Sequence, residues 1–319
     1  MNNIGEPWMW GGFIAFVLAM LALDLFVLGG RHARKVGVKE AALWSLAWVS
    51  LALAFCGLLW WYLQDTAGAV IADQKAMEFL TGYVIEKSLS VDNVFVFLMV
   101  FSAFHVPPEH QRRVLVYGVL GAILLRAVMI LAGAWVVQEF HWVLYIFGVF
   151  LLITGLRMLV MAEATPDLEK NPVLRFARRY LRITDSPRDE KFTVVENGVR
   201  YFTPLFLVLL LVESSDVIFA VDSIPAIFAI TTDPFIVFTS NIFAIMGLRA
   251  LYFLLAEMAD RFHLLKYGLA FVLMFIGSKM LAAQWVHIPT QASLLVIGVI
   301  LSSSVIASLV ASRPPPKRN

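Results

Sequence analysis

The sequence predicts an all-α, polytopic transmembrane protein of about nine spans, with an inverted repeat of three helices. Three observations predict this. Hydrophobic residues make up 60% of the 319 and charged residues 15%, against about 25% charged in a soluble domain; mean hydropathy is +0.80. Apolar stretches recur at close to the roughly 20 residues needed to cross a bilayer. Basic residues gather in alternate loops. Other classes recede. A lone cysteine, Cys56, excludes an intramolecular disulfide framework and argues against a thiolate metal cluster. Nucleic acid is not an expected partner, and no nucleophile–base arrangement points to an enzyme. The start, Met-Asn-Asn-Ile-Gly-Glu-Pro, lacks a basic n-region, so the first apolar run is expected to be retained.

The spans are expected at 8–29, 41–63, 76–103, 114–137, 141–162, 204–231, 235–256, 264–285 and 290–311. Arg31, Arg34, Lys35 and Lys39 follow the first, and Arg112 and Arg113 the third. Arg175, Arg178, Arg179 and Arg182 follow the fifth, Arg261 and Lys266 the seventh, and Arg313, Lys317 and Arg318 the ninth. The alternate loops 64–75, 138–140, 232–234 and 286–289 contain Lys75 and no Arg. The positive-inside rule then places the N-terminus outside and the C-terminus in the cytoplasm. The chain reads as one transmembrane domain, 1–319, with a cytoplasmic loop at 163–203 and a flexible tail at 312–319. Within the loop, Pro172 to Ile183 alternates apolar and basic residues at near-helical spacing, fitting an interfacial helix on an anionic leaflet or a solvated connector. β-formers flank Asn197-Gly198, which predicts a small hairpin.

Two acidic phrases lie inside spans. Glu86-Lys-Ser-Leu-Ser-Val-Asp92-Asn93 falls in the third, and Asp216-Val-Ile-Phe-Ala-Val-Asp222-Ser223 in the sixth. The likeness continues. Leu125-Arg126-Ala127 matches Leu248-Arg249-Ala250, and Tyr145, Gly155, Arg157, Met158 and Leu159 match Tyr267, Gly277, Lys279, Met280 and Leu281 at constant offset. Spans 3–5 therefore correspond to spans 6–8, and three helices per unit makes the copies enter from opposite sides. Inverted repeats are a transporter design with a site near the midplane.

Inversion implies depths. Six residues of helix rise about 9 Å, placing Glu86 with Asp222 outward and Asp92 with Asp216 inward; Asp24 joins the inner level and Glu213 extends the line. Six residues also turn about 600°, leaving paired carboxylates about 120° apart. Either two faces line the cavity or the helices are broken, and Pro225, which cannot donate to Val221, favours a break in the sixth span. Ser88, Ser90, Asn93, Ser214, Ser215, Ser223 and Asn241 offer neutral oxygens.

Six membrane-embedded acids (Asp24, Glu86, Asp92, Glu213, Asp216, Asp222) would cost roughly 15–20 kcal/mol on the insertion scale. Lys87, Arg126, Arg249 and Lys279 offset part of it, and a divalent cation or two protons would balance the rest. Arg126 and Arg249 read first as interhelical partners of these acids. Oxygen donors suit Mg, Ca or Mn, whereas thiolates and imidazoles suit Zn and Cu. The histidines His32, His105, His110, His141, His263 and His287 all fall at span ends or in loops. Composition does not choose among the hard cations.

The two acidic phrases, extended to Val94-Phe95 and to Val212-Glu213-Ser-Ser-Asp216 through Phe235, together with Thr239-Ser-Asn-Ile-Phe-Ala-Ile-Met-Gly-Leu-Arg-Ala250, resemble the TerC family of bacterial integral membrane proteins. The Trp10-Gly-Gly-Phe13, Arg112 to Ala122 and Arg182-Ile-Thr-Asp185 segments are most similar to its Alx branch. The resemblance implies an inner-membrane protein related to the LysE transporter superfamily that exports manganese as Mn²⁺, with labels of tellurium resistance and redox modulation also attached to the family. It implies Glu86, Asp92, Glu213, Asp216 and Asp222 as the metal-handling residues, with Asp24 in a weaker motif. Ser90, Asn93, Ser223, Arg126 and Arg249 are the expected supporting residues. The expected partners are Mn²⁺ as transported ion, protons and the lipid bilayer, with no resident cofactor.

Overall fold

The computed structural model describes residues 4–27, 37–160, 171–184, 190–256, 264–286 and 288–311; the side chains of 24–27 lie outside the described set. The described chain runs α1 (Pro7–Val27), α2 (Val38–Thr66), α3 (Ala69–Ala103), α4 (Pro108–Glu139), α5 (Val143–Val160), α6 (Pro172–Tyr180), β1 (Thr193–Glu196), β2 (Val199–Phe202), α7 (Pro204–Phe228), α8 (Pro234–Met246), α9 (Leu248–Ala256), α10 (Leu265–Ala282) and α11 (Thr290–Ala311). Among the described residues, seven helical stretches are long and apolar enough to cross a membrane: α2, α4, α5, α7, the α8–α9 pair, α10 and α11. The chain is thus a polytopic helical membrane protein. The apolar part of α1 within the described side chains, Pro7–Leu23, is shorter. At 35 residues α3 has the length, but Asp73, Lys75, Glu78, Glu86, Lys87 and Asp92 interrupt its apolarity.

Local chemistry sets the boundaries. Prolines 108, 172, 204 and 234 open four helices, where the missing N–H costs no intrahelical bond. Asn171 caps α6 by accepting from Val173 N at 2.9 Å, and Asp233 caps α8 by accepting from Phe235 N at 3.0 Å. The hairpin forms as expected, with Glu196 paired to Val199 across Asn197-Gly198. Both turn residues have positive φ, 53° and 77°, the conformation of a type I′ turn. The helix α6 also forms, and its apolar stripe, Leu174 and Ala177, is buried against the cluster around Leu205 and Phe101.

Burial sorts the spans into centre and periphery. In an 18-residue window of the α8–α9 stretch 94% of residues are buried, against 11% in one of α11. Every residue from Phe235 to Met246 is buried, and Phe13, Phe55, Phe79, Phe235, Phe238 and Phe243 pack as one aromatic cluster joining α1, α2, α3 and α8. Leucines and tryptophans on the outer helices, among them Leu53, Leu58, Trp61, Leu124 and Trp135, are exposed, as befits side chains facing hydrocarbon. At the centre α3 packs on α7 and α4 on α8, and α5 lies against α10. The last pair is tight because Gly155 faces the Ala270 carbonyl and Gly277 the Gly148 carbonyl; a Cβ at either would stand 2.7–2.8 Å from its nearest neighbours.

Three expectations are corrected. The sixth span is not broken at Pro225: α7 runs continuously to Phe228, because the proline sits in the last turn and costs the helix one hydrogen bond. The break falls in the seventh span, at Gly247 between α8 and α9. There Lys87 Nζ donates to the Ala244 carbonyl at 3.4 Å, a cation placed at a helix C-terminus. Finally, 64–75 is not all loop. Helix α3 begins at Ala69, and Lys75 is buried within it.

Candidate functional site

Antiparallel packing of α3 on α7 sets the site. Along α3, Glu86 and Asn93 are seven residues apart, and along α7 so are Asp216 and Ser223. Seven residues is close to two full turns, so each pair shares one helix face. These faces meet. Glu86 and the Ser223 hydroxyl both accept from the same nitrogen of Arg126, and Asn93 Nδ2 donates to Asp216 Oδ1 at 3.4 Å. Each carboxylate thus meets the short polar side chain that follows Val-Asp on the opposite helix.

Arg126 enters between them from α4. Its Nη1 donates to Glu86 Oε1, to Ser223 Oγ at 3.2 Å and to Asn241 Oδ1 at 2.8 Å. Its Nε and Nη2 reach the two oxygens of Asp216 at 3.5 and 3.3 Å. Asn241, on α8, donates its Nδ2 to Glu86 Oε2 at 3.3 Å. Exposure of Glu86, Arg126 and Asp216 is 0%, 1% and 2%, so water does not dissipate these charges. With both acids ionised, two carboxylates and one guanidinium leave a formal charge of −1. Ser90 Oγ and Asn93 Oδ1, buried one turn apart on α3, have no hydrogen-bond partner among the described residues. A buried carbonyl or hydroxyl oxygen without a donor carries a desolvation cost, which a cation would relieve.

The other expected residues lie around this centre. Asp92 and Asp222 are half-buried, and neither is an ion-pair partner of Arg126. Lys266, at the start of α10, supplies a favourable charge to Asp92. Thr154 of α5 donates to Asp222 at 3.3 Å, and Arg157 supplies a favourable charge to it. Both helices are continuous, so the paired carboxylates of each lie on different faces. The expected two depths follow the backbone, with Ser223 opposite Glu86 and Asn93 opposite Asp216, but Arg126 bridges them into one network. Glu213, half-buried and one turn before Asp216, rests on Gly121 of α4, where a Cβ would overlap its carboxylate. Arg249 is buried on α9. The backbone of Asp24 lies in the last turn of α1, and its side chain lies outside the described residues. Among the described residues, no three His, Cys, Asp or Glu side chains stand close enough to hold a metal ion together; carboxylate pairs and neutral oxygens are what converge.

A second buried ionic cluster escapes a reading of the sequence. Lys75 Nζ lies 2.9 Å from Glu78 and 3.3 Å from Asp233. Thr231 Oγ1 donates to Glu78 at 2.6 Å, and Ile4 N to Asp233 at 3.1 Å. Its signals are a Lys and Glu at helical i,i+3 spacing and an Asp-Pro helix start, but both fall in stretches that read as loops or span ends.

Comparison with known proteins adds kinship. Residues 71–315 match the model of the integral membrane protein TerC family. The chain is 56% identical over 319 residues to a protein of Escherichia coli K12 named as a candidate membrane-bound redox modulator, Alx, covering 100% of this chain and 99% of that one. A like-named protein of Photorhabdus laumondii is 53% identical over 309 residues, 97% of each chain. An uncharacterised membrane protein of Myxococcus xanthus is 50% identical over 314 residues, 98% of this chain and 96% of that one. No solved structure matches.

Proposed function

The chain belongs to the TerC family of integral membrane proteins, and from that premise we propose that it is a carrier exporting divalent manganese across the bacterial inner membrane by alternating access. One observation carries the reading: Glu86 and Asp216, fully buried on oppositely directed helices, converge on Arg126 among amide and hydroxyl oxygens, two carboxylates to one guanidinium. Buried carboxylates are expensive at membrane depth and mark ion pathways, and an all-oxygen donor set suits a hard divalent cation. The family resemblance selects manganese among these.

The cross-paired neighbours, Glu86 with Ser223 around Arg126 and Asp216 with Asn93, support the inverted repeat, since exchanging the halves converts one pairing of residues into the other. Under this reading the N-terminus is periplasmic and the C-terminus cytoplasmic. Glu213 and Asp92 receive the ion from the cytoplasm, Glu86 and Asp216 hold it at the centre, and Asp222 serves its exit or exchanged protons. The chain acts as a carrier, not an enzyme. The test is transport in vesicles with Mn²⁺, Mg²⁺, Ca²⁺ and Zn²⁺, with and without a pH gradient. E86Q and D216N should insert normally and each lose at least about tenfold in manganese efflux, a loss of about 1.4 kcal/mol or more. Wild-type rates from both defeat the reading.

The relatives' name supports a second reading, a redox or stress modulator acting through partners. Its thiol would be Cys56, buried in α2 with its sulfur 3.7 Å from the Ala76 carbonyl. If export is the function, C56S retains efflux. A stress phenotype lost in C56S while efflux persists would favour redox chemistry.

A further inference from the structure

The geometry points to Arg126 as a tethered counter-cation that competes with the transported ion for Glu86 and Asp216, and so allows the carrier to return without a passenger. This inference rests on the export reading above.

A structural ion pair needs one acid. Arg126 instead engages acids on two helices, neither of them its own, together with Ser223 and Asn241. Its guanidinium occupies the centre on which the polar groups of α3, α7 and α8 converge. A divalent ion held by both carboxylates needs oxygens at about 2.0–2.6 Å. It cannot share that space with a guanidinium bonded to the same oxygens, so binding must displace Arg126.

Charge gives the displacement a consequence. When ionised, Glu86 and Asp216 together carry −2. Arg126 between them brings this to −1, and a divalent ion in its place brings the pair to zero. With neither, two ionised carboxylates face each other in a site that excludes water, the costliest of the three arrangements. A conformational change that carries this centre from one side to the other is therefore easiest with one cation or the other in place. Arg126 supplies the cation for the return stroke.

The displaced guanidinium also has a third acid close by. Glu213 rests against Gly121 of the same helix, five residues from Arg126, or about 7.5 Å along the axis. A swing toward the N-terminus of α4 moves the guanidinium from Asp216 toward Glu213, one turn away on α7. The side chain then has two positions, one excluding the passenger and one admitting it.

The experiment compares wild type, R126Q and R126K in lipid vesicles and nanodiscs. It measures Mn²⁺ binding, net efflux into manganese-free medium, and exchange of radiolabelled internal for unlabelled external Mn²⁺. R126Q should bind Mn²⁺ about tenfold more tightly and lose about tenfold in net efflux. It should keep exchange within about twofold of wild type, because exchange never requires the unloaded return. An arginine that merely holds helices together would lose binding and exchange along with net efflux, and that result overturns the proposal, as does unchanged net efflux. If R126Q does not insert, R126K decides. One ammonium cannot bridge both carboxylates as the guanidinium does, so the ratio of net efflux to exchange should fall severalfold, and an unchanged ratio overturns the proposal. Wild type that moves manganese in neither assay defeats the export reading, and this inference with it.

Discussion

Ser90 is the most economical residue at which to separate function from stability. Its hydroxyl is buried at 1% exposure with no hydrogen-bond partner among the described residues. Removing a group whose desolvation is unrecompensed should leave stability unchanged or raise it by about 1 kcal/mol. S90A is thus expected to keep or gain thermal stability in detergent while losing severalfold in manganese efflux. A matching loss of both would make Ser90 a packing residue. The residue scale also shows what was legible. The carboxylates stood out because charge inside an apolar run is conspicuous. The face they use was less visible. The acidic phrase draws the eye to the six-residue spacing of Glu86 and Asp92, whereas helical geometry pairs Glu86 with Asn93. An asparagine or serine in a span carries no such signal until its neighbours are known.

At the scale of elements, the helices that approach most closely do so through glycine. In the α5–α10 pair, a Cβ on Gly277 would stand 2.7 Å from the Gly148 carbonyl oxygen and 2.9 Å from Leu152 N. Both are backbone atoms, and no rotamer change relieves them. G277A should therefore destabilise by about 1–3 kcal/mol. At Gly298, in α11, an added Cβ would meet nothing within 4 Å, and G298A should be neutral or stabilise by about 0.5–1 kcal/mol. Thermal unfolding of the two variants in one detergent checks the contrast; equal melting temperatures would contradict it. Span positions were readable from hydropathy because lipid imposes length and apolarity together. Interruptions were not. Pro225 is the conventional breaker yet lies where a helix is ending anyway, while Gly247, an unremarkable residue in sequence, marks the actual break because Lys87 arrives from α3 to meet the freed C-terminal end of α8.

At the scale of the whole molecule, buried ionic networks among the described residues tie distant parts of the chain together. One is centred on Arg126. Another, at the N-terminal end of α3, joins Lys75 and Glu78 to Thr231, Asp233 and the backbone of Ile4. K75M would leave two carboxylates buried without their cation. A loss of about 3–5 kcal/mol is expected, readable as a lowered unfolding midpoint; an unchanged midpoint would show that the acids had found water or protons. Neither network follows from composition, because each joins residues far apart in the chain. The Arg126 network has a further consequence for biosynthesis. Glu86 precedes Arg126 by 40 residues, and Asp216 follows it by 90. A nascent chain entering the bilayer from its N-terminus presents the acid first, so α3 and α4 can partition as a hairpin whose opposite charges cancel. Asp216 then arrives at a guanidinium already in place. The order of residues along the polypeptide is also an order in which the membrane can accept them.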